Sequence, residues 1–122
     1  MSDKMNGQGY LVFEGTGFRD RVKVQWGLVD GDRIAQGASW RAVITFFAHP
    51  VPENVTSSIF IALSNSSVIM KLQMDEDTIV DCHICEILDL PDSGSIEISS
   101  LDRPGAKIIW GNGPQLSYPP TG

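Results

Sequence analysis

The sequence predicts an all-β fold: a single antiparallel β-sandwich or barrel of about seven or eight strands. Three observations carry that prediction. Short runs of Val, Ile, Phe, Tyr and Trp recur along the chain, bounded by Gly, Pro, Asn, Asp or Ser. Several of these runs alternate apolar and polar residues with the period of a half-buried strand. A length of 122 residues, 42% hydrophobic and 20% charged, suits one core and is too short for two.

Strands are expected near 9–14, 22–29, 39–48, 57–63, 68–74, 78–88, 95–99 and 106–110. The second has the clearest pattern, with Val22, Val24, Trp26 and Leu28 on one face and Arg21, Lys23 and Gln25 on the other. Trp26 is therefore expected in the core, while Trp40 and Trp110 are not placed by their neighbours. Asp30-Gly31 follows at once, a dipeptide suited to a tight hairpin that returns the chain from Arg33 onward. Asn65-Ser66-Ser67 and Asp75-Glu76-Asp77 predict later turns on either side of Val68, Met70, Leu72 and Met74, so that adjacent hairpins form a meander.

Residues 78–88 also carry a helical reading, because Val80, Ile84, Ile87 and Leu88 fall on an i, i+4, i+7, i+8 stripe and acids precede them. β-Branched Thr78, Ile79, Val80, Ile84 and Ile87 favour a strand, leaving one short helix near 76–89 as the alternative. Pro91-Asp92-Ser93-Gly94 ends this element. The domain is expected to span 1–110, followed by a Gly/Pro-rich tail over 111–122.

Charge is unevenly distributed. Residues 1–61 carry six acids and six bases, whereas residues 62–122 carry nine acids and three bases, and no Lys or Arg occurs from Leu72 to Asp102. The whole net charge of −6 thus originates in the second half. Such a chain repels a phosphate backbone, so direct nucleic-acid binding is disfavoured, although Arg19, Arg21, Lys23, Arg33 and Arg41 fall within 23 positions.

Cys82-His83-Ile84-Cys85 is the one concentration of soft metal ligands, with His49 the only other histidine or cysteine. In a strand, Cys82 faces away from His83 and Cys85, so the three do not converge as structural zinc requires. Free thiols and no metal or other cofactor are expected; Asp75, Glu76, Asp77 and Asp81 lack the glycine spacing of an EF-hand loop. No dinucleotide fingerprint, phosphate loop, GxSxG elbow or HExxH occurs, and the chain is read as non-enzymatic.

No run approaches a spanning helix and residues 1–10 lack a signal-peptide core, so a cytoplasmic protein without membrane association is expected. The leading functional expectation is a small acidic binding or inhibitor protein, immunity-like or anti-defence-like and of bacterial or phage type. Asp75, Glu76, Asp77, Asp81, Glu86, Asp89 and Asp92 would engage a basic partner protein. Two alternatives stand beside it: a module binding a small ligand or carbohydrate through Trp40, Trp110 and Tyr118, and a structural subunit, for instance of a homo-oligomer, joined through sheet edges.

Overall fold

A computed structural model describes residues 5–15, 17–48, 50–65, 67–89 and 94–106. Six strands form a closed antiparallel barrel: β1 (Asn6–Gly15), β2 (Phe18–Asp30), β3 (Arg41–Phe46), β4 (Ile69–Gln73), β5 (Ile79–Asp89) and β6 (Ser95–Ser99). One helix, α1 (Glu53–Ser64), lies between β3 and β4. The order around the barrel is β1-β2-β3-β6-β5-β4. Two three-stranded meanders are thus joined along β1–β4 and β3–β6, which removes every sheet edge that a lone meander would leave open.

Alternation along each strand builds the core. Leu11 and Phe13, Val24 and Trp26, Ala42, Ile44 and Phe46, Leu72, Val80, Ile96 and Ile98 all point inward and are buried. Trp26 occupies the expected core position at 2% exposure, and Trp40 is fully buried as well. The barrel ends are closed differently. At one, α1 inserts Val55 and Ile59 into the core, and its Ser58 Oγ donates to Asp20 Oδ2 at 2.7 Å near the start of β2. At the other, Ile34 and Trp40 from the segment between β2 and β3 fill the opening.

The strand expected over 57–63 is instead the second half of α1. Its apolar run Ile59-Phe60-Ile61 has no period of its own. The burial of Val55, Ser58 and Ile59 follows the helical i, i+3, i+4 spacing, and Pro52-Glu53 marks the start. The Ser64 hydroxyl donates to the Phe60 carbonyl four residues back, and Ser58 Oγ, whose proton goes to Asp20, lies 3.0 Å from the Asn54 carbonyl.

Conversely, residues 79–89 are strand, and the alternative helix near 76–89 does not form. Ile84 pairs with Ile98 and Ile87 with Ile96, with a register shift between Ile84 and Glu86. That bulge inserts one residue, so two inward side chains stand three positions apart and imitate a helical stripe.

The tight hairpin at Asp30-Gly31 is also replaced. β2 and β3 do pair antiparallel, but a ten-residue connection joins them, because Ile34 and Trp40 must reach the core. Gly31 retains the positive φ (103°) expected of the turn, and a side chain there would meet the Ser39 carbonyl. Among the described residues there are six strands: the strand expected over 57–63 is helix, and most of the strand expected over 106–110 lies outside the described residues, as does the 111–122 tail.

Candidate functional site

Strand directions bring three separated chain segments to the barrel end opposite α1. The β4–β5 hairpin supplies Asp75, Glu76 and Asp77, the residues after β2 supply Asp30 and Asp32, and the residues after β6 supply Asp102. All six side chains are exposed. Asp81, early in β5, adds a seventh, half-buried carboxylate, and its backbone N–H donates to Gln36 Oε1 at 2.9 Å.

The hairpin is fixed by its own first residue. Asp75 Oδ1 accepts from the backbone N–H groups of Asp77 and Thr78, both at 2.9 Å, and Met74 N–H donates to the Thr78 carbonyl. The acids at the tip are therefore held on a defined turn rather than on a loose loop. Across the end, Ser100 and Trp40 tie the start of β3 to the end of β6: the Ser100 N–H donates to the Trp40 carbonyl, and the Trp40 N–H donates to Ser100 Oγ, which itself donates to Asp102.

Among the described residues, three arginines lie at this end. Arg103 Nη1 bonds Asp30 Oδ2 at 2.8 Å, and Arg41, the first residue of β3, turns to Glu97 at 3.5 Å. Arg33 is exposed. The Arg103 guanidinium holds the Asp30 carboxyl below its ordinary value, and the Ser100 hydroxyl does the same for Asp102. Both are ionised at neutral pH, so the end carries a clear excess of negative charge.

Four of the seven acids expected to bind a partner, Asp75, Glu76, Asp77 and Asp81, are thus brought together. Glu86 and Asp89 lie in the later half of β5, toward the opposite end, and Asp92 lies outside the described residues. Proximity in sequence misled here because β5 is 11 residues long and runs the length of the barrel. Sequence reasoning missed Asp30, Asp32 and Asp102. The signal available was their position just beyond a strand end, which identifies a shared end only once strand directions are assigned.

The cysteine cluster divides as alternation requires. Cys82 is buried, its thiol directed at the Met70 carbonyl at 3.7 Å, whereas Cys85 lies on the outer side near Glu97. Both thiols are free. Burial pushes the Cys82 thiol up, and burial followed by the Glu97 charge raises that of Cys85. Among the described residues, no group of three or more His, Cys, Asp or Glu side chains is arranged to hold a metal ion.

Among the described residues, small cavities and one wide, open depression of about 770 Å³, bounded by Asp32, Arg33, Ala38 and Ser39 at the acidic end, lie at the surface. One cavity, of about 200 Å³, lies between α1 and β5 and includes Leu63, Met70, His83 and Ala106; another, of about 180 Å³, lies beside Trp40, Asp81 and Asp102. These two are smaller than the roughly 300 Å³ at which small-molecule sites begin, and the larger depression has no aromatic or large apolar wall. Burial of Trp26 and Trp40 removes two of the three tryptophans from any exposed stacking platform, while Trp110 and Tyr118 lie outside the described residues. No helix among the described residues is long and apolar enough to cross a membrane. Comparison with protein-family models, curated proteins and solved structures gives no match to this chain.

Proposed function

We propose that this protein is a non-enzymatic binding protein whose acidic barrel end engages a basic surface on a partner protein. The observation that carries the reading is the gathering of Asp30, Asp32, Asp75, Glu76, Asp77 and Asp102, from three chain segments, at one rigidly closed end. Charge presented on a preformed surface steers encounter with an oppositely charged partner and rejects like-charged ones, without requiring a pocket or a catalytic group. Inhibition of a basic, nuclease-like or toxin-like protein is the class of activity that such an end suits.

The test is capture of partners by the immobilised full-length chain at low and high salt, beside the triple variant Asp75→Asn, Glu76→Gln, Asp77→Asn. An amide at position 75 retains the oxygen that accepts both turn bonds, so the variant changes charge and keeps the hairpin. A basic partner retained by the wild type, released by salt and depleted with the variant supports the reading. Partners bound equally by both proteins and resistant to salt contradict it.

A further inference from the structure

The net charge of −6 belongs to the chain as a whole, but the fold segregates it. Of the seven Lys and Arg residues among those described, four share the outer face of β1, β2 and β4: Arg19, Arg21, Lys23 and Lys71. The register sets them in rows. Lys23 stands beside Tyr10, Arg21 and Lys71 flank Val12, and Arg19 stands beside Glu14. Glu14 is the one acid that β1, β2 and β4 contribute to these rows, shared between Arg19 at 3.9 Å and Lys71 at 3.8 Å, and Asp81 of β5 stands beside Lys71 at the border.

Arg21 and Lys23 have no carboxylate in ion-pair range among the described residues; each lies over an aromatic ring instead. The Arg21 guanidinium is 4.5 Å from the Tyr10 ring centre, and Lys23 Nζ is 5.8 Å from that of Phe47, which is 49% exposed. Successive cations on β2 are two residues apart, about 6.6 Å, forming a ladder of point charges along one strand.

We infer that this face, with the cations Arg19, Arg21, Lys23 and Lys71 and the neighbouring rings of Tyr10 and Phe47, binds single-stranded nucleic acid. The repulsion expected from the whole-chain charge is weakened locally, because six of the acids lie at the barrel end and only Glu14, within the patch, and Asp81, beside Lys71 at its border, oppose the four cations. Cations in line can follow a phosphodiester backbone, and the Tyr10 and Phe47 rings beside Lys23 supply π surface on which unpaired bases stack. A single strand suits the surface better than a duplex, because the face is the outside of a barrel and offers no helix or ribbon to enter a major groove. An acidic protein or an anionic membrane would also satisfy the cations, and the ring and vesicle arms of the experiment separate these occupants from a single strand.

The experiment is fluorescence anisotropy of a labelled 12-nucleotide oligothymidine with the full-length protein across a salt series. Binding that weakens with salt is expected. Arg21→Gln with Lys23→Gln should reduce the log–log salt slope by about 1.4, two phosphate contacts at roughly 0.7 each. Tyr10→Leu, and separately Phe47→Ala, should weaken binding about tenfold and leave the slope unchanged. Arg33→Gln, outside the patch, should change neither. Absence of binding at 20 mM salt overturns the inference, as does a charge variant with the wild-type slope. Equal binding of phosphatidylserine vesicles or heparin, with both ring variants silent, also overturns it and leaves a generic anion-binding face.

Discussion

Gly9 lies on β1 where that strand approaches the end of β4, and a methyl group there would fall 2.2 Å from the Gln73 carbonyl oxygen and 3.2 Å from Met74 Cα. The obstacle is backbone, so no side chain can rotate away. Gly9→Ala must move the two strands apart by roughly 1 Å to reach ordinary contact distance. That opens the seam where β1 and β4 close the barrel, immediately before the acidic hairpin. Overpacking of this kind costs about 1–3 kcal/mol. For a domain of this size, thermal unfolding should fall by roughly 5–15 °C. Gly27→Ala is the internal control: it too is a strand glycine, on β2, but a methyl group there meets nothing within 4 Å. Differential scanning calorimetry of both variants should show a large drop for Gly9→Ala and little change for Gly27→Ala, since replacing glycine at a compatible position restricts the unfolded chain. Equal melting temperatures for Gly9→Ala and wild type would refute the close approach of β1 to β4 and, with it, the closed barrel.

Three further outcomes follow from named contacts. Trp26→Ala removes a ring that is 2% exposed, and a loss of roughly 3–5 kcal/mol in denaturant unfolding is expected; a near-wild-type midpoint would show that the ring is not a core element. In a thiol-reactivity assay on the native protein at pH 8, Cys82 should stay unmodified until unfolding and Cys85 should react slowly, and elemental analysis should find no stoichiometric zinc; rapid modification of both thiols, or one zinc per chain, would contradict the placement of the cluster. Because Arg103 lowers the Asp30 pKa in the folded state, the associated stability is present above the carboxyl's unfolded value near 3.8 and is lost as pH falls through the lower folded value. Asp30→Asn should therefore melt below wild type at pH 7 and converge with it in strong acid, whereas a constant difference across that range would exclude the ion pair as the cause.

Much of the barrel was legible because its strands obey a period of two: the strand expected over 95–99 is β6 at its observed limits, and the strand expected over 22–29 is the greater part of β2, which begins four residues earlier at Phe18. The errors have distinct physical origins. In α1, the apolar run at its C-terminal half carries no periodicity, so the deciding signal lay upstream, at Pro52-Glu53 and Val55. In β5, the bulge after Ile84 gave a strand the spacing of a helix. For the site, the charge asymmetry was visible as the interval from Leu72 to Asp102, but an interval along the chain is not a surface. Closure of the barrel moved Glu86 and Asp89 away from the hairpin and brought Asp30, Asp32 and Asp102 to it, and sequence distance alone contains neither movement.

The association rate of the captured partner, measured by stopped flow at several ionic strengths, tests the role of the acidic end most directly. The hairpin variant Asp75→Asn, Glu76→Gln, Asp77→Asn should associate about tenfold more slowly than wild type at low salt, with a flatter salt dependence and little change in dissociation. Glu86→Gln, in β5 toward the opposite end, should associate at the wild-type rate. A hairpin variant that associates as fast as wild type with the same salt dependence, or a Glu86→Gln variant that slows as much as the hairpin variant, would contradict recognition through the acidic end.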